Sequence, residues 1–428
     1  MGDRLNGAGF DVYLLDLPGH GDSTDFYSFP HAEHCVAATI GSLARMGKIS
    51  PDHTILIGHS MGGAVAIRMA DHIPVAATVA ISPGPLEFPR RMPSNLLVFS
   101  AQYDIPLLKQ IAEKLAQAAQ GTREYPEDFV QRRAFALERI PRALHVSLIY
   151  DSRVDREMIR WAAESLAGPL TSEGIHDEMA AGYAGLFGIL LMFPFIASLL
   201  ARVFKAQPSS STDDSPFARD RVLLIWTVAS FFGVSFLFLF QPLRFLHMLS
   251  GDYLAGLLLV SGIVALALNS KAAASLRKME SRSFCLAVLL AFGISAAVGA
   301  WLNWQMSSAW PNFPRWIRFF ALLPVCWIFS FAEEVLLGPV GRGRSCAKRF
   351  MLFLAMRLEL WLACMLALFL MGSAQVMLLI LVVYLALISV LVRLGSDALR
   401  RRSGNAVAAA AFDAILAAWF IATLFPLT

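Results

Sequence analysis

Charge is scarce in this chain. Asp, Glu, Lys and Arg make up 16% of its 428 residues, against about 25% in a typical soluble protein, while hydrophobic residues reach 57%. So thin a charge complement excludes a wholly soluble chain, and with that apolar content a net charge of only +4 excludes disorder as well. Lys and Arg are not clustered on one face as nucleic-acid binding requires, so nucleic acid is not an expected partner. Cysteine is equally short. Cys35, Cys285, Cys326, Cys346 and Cys364 are too few and too dispersed for a disulfide framework or a CxxC metal site, and no metal is expected. Histidine nearly vanishes after residue 180, where His247 stands alone. Also missing is an apolar h-region in MGDRLNGAGF, so residues 1–30 do not read as a signal peptide.

What is present is unevenly spread. Up to about residue 168 the apolar runs are short and broken by Pro, Gly, Asp and Arg, as in a soluble α/β domain. Residues 169–182 read as a linker, and from 183 to 428 the chain becomes membrane-like. Tyr183 to Ala201, Val222 to Phe240, Phe284 to Trp304 and Gly372 to Val392 each run uncharged for about 20 residues, enough to cross ~30 Å of hydrocarbon as helix. Tyr253 to Leu268 is shorter, and Trp316 to Leu337, Phe350 to Met371 and Val407 to Phe425 carry internal charges. Eight transmembrane helices are expected, forming an all-α bundle with membrane lipids around it.

Loop cations give an orientation. Lys205, Arg219, Arg221, Lys271, Arg277, Lys278, Arg282, Arg342, Arg344, Lys348, Arg349, Arg393, Arg400, Arg401 and Arg402 fall in one alternating set of loops, and only Arg244 and Arg315 in the other. Cytoplasmic loops carry the excess of Lys and Arg, so this bias puts the N-terminal domain outside the cytoplasm.

In that domain, Asp11 to Leu17, His53 to Ile57, Ala76 to Ser82, Leu96 to Ser100 and Ala134 to Ile140 have strand character. Helical patterns occupy His31 to Met46, Met61 to His72, Pro106 to Gln120 and Val154 to Leu166. The alternation implies an α/β parallel sheet with helices on both faces. In LIGHSMGGAVAIRMA a strand ends at Ile57, Gly58-His59-Ser60-Met61-Gly62 makes a sharp turn, and a small-residue helix follows. That is the strand–turn–helix setting of a G-x-S-x-G nucleophile elbow. The flanking glycines would relieve crowding around a strained Ser60, and the backbone N–H of Met61 at the helix start would donate to an oxyanion.

Here the chain resembles the α/β-hydrolase family of serine hydrolases, particularly its lysophospholipase, monoglyceride-lipase and serine-aminopeptidase-like branches. GFDVYLLDLPGHGDS is similar to the family's strand and loop two elements before the nucleophile. LLVFSAQYD is similar to the strand and turn that carry the acid, which implies that role for Asp104. IPRALHVSLIYDSRV is similar to the segment carrying the base, which implies His145. The order Ser60, Asp104, His145 is the family's order. The resemblance covers residues 1 to about 168 and implies acyl transfer to water without a cofactor, from an ester or an amide of a small or lipid-like acyl substrate. Each residue has a plainer reading: Asp104 as a helix cap before Pro106, His145 as a loop histidine with His59 and His176 as rival bases, and His20 and Asp22 as turn residues.

The resemblance also implies two or three strands and a helix ahead of GFDVYLLD, including the loop that supplies a second oxyanion donor. On that comparison the fold is incomplete, and loss of one donor would cost about 3–4 kcal/mol of transition-state stabilisation. The expectation is therefore of a fragment or a misassigned start. A catalytically impaired hydrolase-like module on a transporter, channel or scaffold is the competing expectation. Glu333 and Glu334 in FAEEVLLGPVGR resemble the paired glutamates of CAAX-type intramembrane metalloproteases, yet Gly338 stands where that motif has arginine and no later histidine supplies a metal ligand. A place near the helix end, or structural pairing with Arg357, is the plainer reading of these carboxylates, and Glu359 and Asp413 could serve similarly. Substrate identity, protein partners and oligomeric state are not legible.

Overall fold

A computed structural model of the protein describes residues 1–119, 126–168, 219–240, 245–270, 272–277, 279–306, 310–340, 344–370 and 376–428, with scattered residues between 184 and 202. The chain divides into two compact units, Met1–Gly19 with Asp25–Asp177, and His20–Thr24 with Glu178–Thr428. The expected linker 169–182 lies outside the described residues.

The first unit runs α1 (Gly2–Gly7), α2 (Phe29–Arg45), β1 (Ile55–His59), α3 (Met61–Arg68), β2 (Ala77–Ile81), β3 (Leu96–Ala101), α4 (Pro106–Ala119), α5 (Pro126–Val130), β4 (Phe135–Ile140) and α6 (Ser152–Leu166). The four strands lie in the order β1-β2-β3-β4, every pair parallel. Short runs of Ile, Val, Leu and Ala, too short for helices and buried throughout in β2 and β3, suit a sheet covered on both faces. Alternation assigns the faces. Val79, Ile81, Leu97, Phe99, Ala136 and Ile140 face a core with Val154, Met158, Ile159 and Trp161 of α6, while α3 packs on β1 and β2, and α4 on β3 and β4.

The buried amide of Asn95 anchors the lower end of the sheet. Its Nδ2 donates to Ala76 O at 3.1 Å and Phe129 O at 3.2 Å, its Oδ1 accepts from Ala134 N at 3.2 Å, and its backbone O accepts from Trp161 Nε1 at 2.7 Å. With the N-terminal ends tied, the registers His59↔Ile81, Ile81↔Phe99 and Ala101↔Ile140 bring the C-terminal ends out along one edge. That edge is where ligands bind in open parallel sheets.

One expected strand is absent. Asp11 to Leu17 enters no ladder among the described residues. Phe10 and Val12 pack against the core, but Leu14 is 81% exposed. Strand character is realised only by pairing, and β1, at the end of the strand order, pairs with β2 alone.

The second unit holds α7 (Arg219–Leu239), α8 (Gly251–Ala267), α9 (Ala272–Arg277), α10 (Ser281–Met306), α11 (Phe313–Leu337), α12 (Arg344–Leu370), α13 (Val376–Ser403) and α14 (Ala406–Leu424). Seven of the eight expected spans overlap helices among the described residues, with residues 371–375 of two of them lying outside those described. For Tyr183 to Ala201 only scattered helical residues are described. Among the described residues, four helices are long and apolar enough to cross a membrane: Ser281–Trp304, Phe313–Leu337, Cys346–Leu370 and Ala406–Leu424. The Ala-rich α14 is buried nearly all round and packs along α11. At Gly262 of α8 a Cβ would come within 2.9 Å of the Phe329 backbone of α11, the small-residue contact by which helices approach closely in lipid.

The cations counted as loop residues that fall among the described residues lie within helices rather than in loops. Arg349, Arg393 and Arg400 lie within α12 and α13 and are buried. Arg349 and Arg400 hydrogen-bond Glu334, and Arg393 forms an ion pair with it; Asp397 lies 3.3 Å from Arg349 and 2.7 Å from Arg393. Glu333 takes Arg357 at 2.9 Å, the pairing expected of it, whereas Glu334 does not. A buried carboxylate stays ionised only where guanidinium groups reach it, and that brings these arginines inward from helix ends.

Candidate active site

Ser60 sits between β1 and α3 with φ 55° and ψ −117°, a conformation that is strained for a residue with a Cβ. The surroundings hold it there. Ser60 N donates to Ile81 O at 2.9 Å, and Ser60 O accepts from Gly84 N at 2.8 Å and from Ala64 N at 3.0 Å. The elbow is thus clamped by the residues that follow β2.

The glycines around it do unequal work. A Cβ at Gly58 would lie 2.2 Å from both C and O of Gly62 and 2.6 Å from Gly63 N, so the strand and the helix start touch backbone to backbone. A Cβ at Gly63 would lie 3.0 Å from Gly58 O and 3.3 Å from Pro83 Cα. At Gly62 nothing lies within 4 Å. The crowding expected at both motif glycines therefore falls on Gly58 and on Gly63, one residue beyond the pattern.

Met61 is the first residue of α3. The first N–H groups of a helix have no intrahelical acceptor and bear the positive end of its dipole, so this amide is suited to stabilise an oxyanion beside Ser60.

Asp104 follows β3 and His145 follows β4, and the sheet brings them together across 41 positions of sequence. Both are buried. His145 Nδ1 lies 3.1 Å from Asp104 Oδ1 and 3.3 Å from Oδ2. Asp104 Oδ1 also accepts from Ile105 N at 3.0 Å, so it holds its own turn while facing the imidazole. The plainer reading of Asp104 and the functional one coexist in a single side chain.

Sequence reasoning missed Ser82. It lies just past β2, buried, with φ 43°. Its hydroxyl donates to Asp104 Oδ2, and its Oγ lies 3.0 Å from His145 Nδ1. Acceptors on both sides of Nδ1 assign the ring proton to that nitrogen and leave the Nε2 lone pair free, the tautomer that a general base requires. No motif marks this serine. The only sequence signal is its position at the end of the strand next to the elbow.

His59, entertained as a rival base, has a different position. Its Nε2 donates to the backbone O of His145 at 3.1 Å, and the two rings lie 4.7 Å apart at 45°. Burial, reinforced by the neighbouring His145 imidazole, lowers its pKa from 6.5 to about 4, so His59 is a neutral strut under the His145 backbone. The structure brings together Asp104, His145 and Ser82. Ser60 is joined to them through His59, and its hydroxyl makes no hydrogen bond to the imidazole among the described residues. Catalytic hydrogen bonds in ligand-free sites often tighten only when substrate is bound. His176 lies outside the described residues, and no group of three or more His, Cys, Asp or Glu that could hold a metal occurs among those described.

Comparison with known proteins agrees with this arrangement at the level of family. Pimeloyl-(acyl-carrier protein) methyl ester esterase of Vibrio atlanticus (strain LGP32) is 29% identical over 143 residues, 31% of this chain and 52% of that protein. The enzyme of the same name from Salmonella newport (strain SL254) is 36% identical over 81 residues, 18% of this chain and 28% of that protein. The chain thus spans about half, or less, of the length of these curated relatives. No solved structure matches it. The sequence model of the Alpha/beta hydrolase family matches residues 3–426, and with a parallel sheet, a strained serine elbow and a buried acid–histidine pair along one edge, the chain belongs to the alpha/beta hydrolase family.

Proposed function

We propose that the protein is a membrane-anchored serine hydrolase that cleaves ester bonds of lipid-like or other small acyl substrates through Ser60, His145 and Asp104. The observation that carries the reading is the strained Ser60 at the strand–helix junction, on the sheet edge that also carries the buried Asp104–His145 pair. His145 Nε2 takes the hydroxyl proton as Ser60 Oγ attacks the carbonyl carbon. The Met61 N–H stabilises the resulting oxyanion. Collapse of the tetrahedral intermediate breaks the ester bond, and the departing alcohol leaves with the proton from His145. Water then repeats the sequence on the acyl-enzyme and releases the carboxylic acid. Asp104 accepts the Nδ1–H, orients the ring and stabilises its charged form. These steps use no cofactor or metal.

Esterase action on an acyl substrate is what the names of the relatives describe for those proteins. The preference for lipid-like substrates rests on the four apolar helices of the same chain. The excess of Lys and Arg toward alternate helix ends favours an extracytoplasmic hydrolase unit. A fluorophosphonate probe tests the reading on the full chain in detergent micelles. Wild type should be labelled at Ser60 and Ser60→Ala should not, whereas persistent labelling of the folded variant would put the nucleophile elsewhere.

A further inference from the structure

A second site lies inside the helical unit. A cavity of about 80 Å³ opens between α8, α11, α12, α13 and α14, several times the ~10–15 Å³ needed for a single water. One wall is apolar, formed by Leu254, Leu258, Leu385, Ile388, Phe420 and Ile421. The other carries Glu333, Arg357, Arg393 and Asp413. These four belong to a larger set in which Glu333, Glu334, Asp397 and Asp413 face Arg349, Arg357, Arg393 and Arg400, all of them buried except the half-buried Arg357. Glu334, Arg349, Asp397 and Arg400 do not line the cavity and are engaged with one another or with Arg393.

The cavity wall is less complete. Glu333 Oε1, Arg357 Nε, Arg393 Nε and Nη1, and Asp413 Oδ1 are buried without a hydrogen-bond partner among the described residues. Arg393 Nη1 stands 3.6 Å from Asp413 Oδ2, beyond direct bonding distance. Open donors and acceptors on the same wall call for an occupant that can both accept and donate, because a buried polar group left unmatched is costly. Formal charge narrows the choice further. Two carboxylates balance two guanidinium groups, so an anion entering the cavity meets Glu333 and Asp413, and a cation meets Arg357 and Arg393. The rest of the lining is mostly hydrocarbon.

We propose that this cavity is a binding site for an uncharged, hydroxyl-bearing amphiphile, such as a long-chain alcohol or a monoglyceride. Its hydroxyl donates to Asp413 Oδ1 and accepts from Arg393 Nη1, and its chain lies against the apolar wall. The site is separate from Ser60 and does not depend on the hydrolase reading.

The test is photolabelling of the full chain in nanodiscs with a diazirine-bearing dodecanol, followed by peptide mapping. Label should appear on α13 and α14 and be competed by dodecanol or monolaurin, with the better competitor distinguishing a single hydroxyl from a glyceride head. Laurate should compete at least about tenfold less well, because it sets like charges together. Asp413→Asn removes one negative charge, so laurate should then approach dodecanol as a competitor. Ala417→Trp, which fills the cavity, should abolish labelling with the thermal transition retained. Ser60→Ala should label like wild type, which separates this site from the hydrolase. Labelling that laurate competes equally in wild type, that survives Ala417→Trp, or that is absent from α13 and α14 would overturn the proposal. If Asp413→Asn fails to fold, the laurate comparison in wild type and the Ala417→Trp result still decide it.

Discussion

Replacing each glycine of the elbow by alanine separates two positions that the motif treats alike. In Gly58→Ala the new Cβ would stand 2.2 Å from the carbonyl carbon and oxygen of Gly62, where real Cβ contacts do not fall below 3.0 Å. The obstruction is backbone, so no side chain can rotate away. The start of α3 must retreat from β1 by about 0.8 Å, a displacement of the overpacking kind that costs about 1–3 kcal/mol. It also moves Ser60 and the Met61 N–H relative to His145, and a misplacement approaching 1 Å can cost about 10²-fold in rate. Gly62→Ala has the opposite sign. Its Cβ meets nothing within 4 Å, the position is inside α3, and alanine there should add about 0.5–1 kcal/mol through helix propensity and a stiffer unfolded chain. Hydrogen exchange of peptides from β1 and α3, with the rate of fluorophosphonate labelling, reads both effects in the full chain. Gly58→Ala should exchange faster and label slowly, and Gly62→Ala should be equally or better protected and label normally. Equal behaviour of the two variants would refute the close strand–helix contact.

Asp104→Asn, His145→Ala and the double variant should converge on a similar residual activity, about 10³–10⁴-fold below wild type, in ester turnover assays; multiplicative losses would show that they do not act as one unit. Ser82→Ala removes a hydrogen bond to a charged carboxylate and should slow turnover by about 10-fold or more, for about 1.5–3 kcal/mol lost. Ser82→Gly should be as slow yet more stable to heat, because it relieves the positive φ. His59 binds its proton near pH 4 in the folded chain and near 6.5 when unfolded. Between those values the unfolded state holds more protons, so stability is full above about pH 6.5 and falls as pH drops toward 4, by about 3 kcal/mol from this group. His59→Gln should flatten that part of a melting-temperature profile. For orientation, a single cysteine at Ser210 should be shielded from impermeant thiol reagents in intact cells and one at Ser308 should react; the reverse would place the hydrolase unit in the cytoplasm.

The sequence by itself determined the division into an α/β part and an apolar helical part. Both rest on local pattern, namely run length and the period of apolar residues. It also determined the elbow, since GHSMG specifies a strand, a strained turn and a helix within a few residues, and it nominated Asp104 and His145 from the segments around them. Only the tertiary structure decided what long-range register controls. Asp11 to Leu17 has every local mark of a strand and is none, because pairing requires a neighbour. Ser82 joins Asp104 and His145 because parallel pairing levels the ends of β2, β3 and β4, a fact carried by no residue near it in sequence. Arg349, Arg393 and Arg400 look like loop cations in a one-dimensional count. They turn inward because Glu334, on another helix, would otherwise be a carboxylate buried without a partner, and the cost of an unpaired buried charge outweighs the local preference of arginine for water.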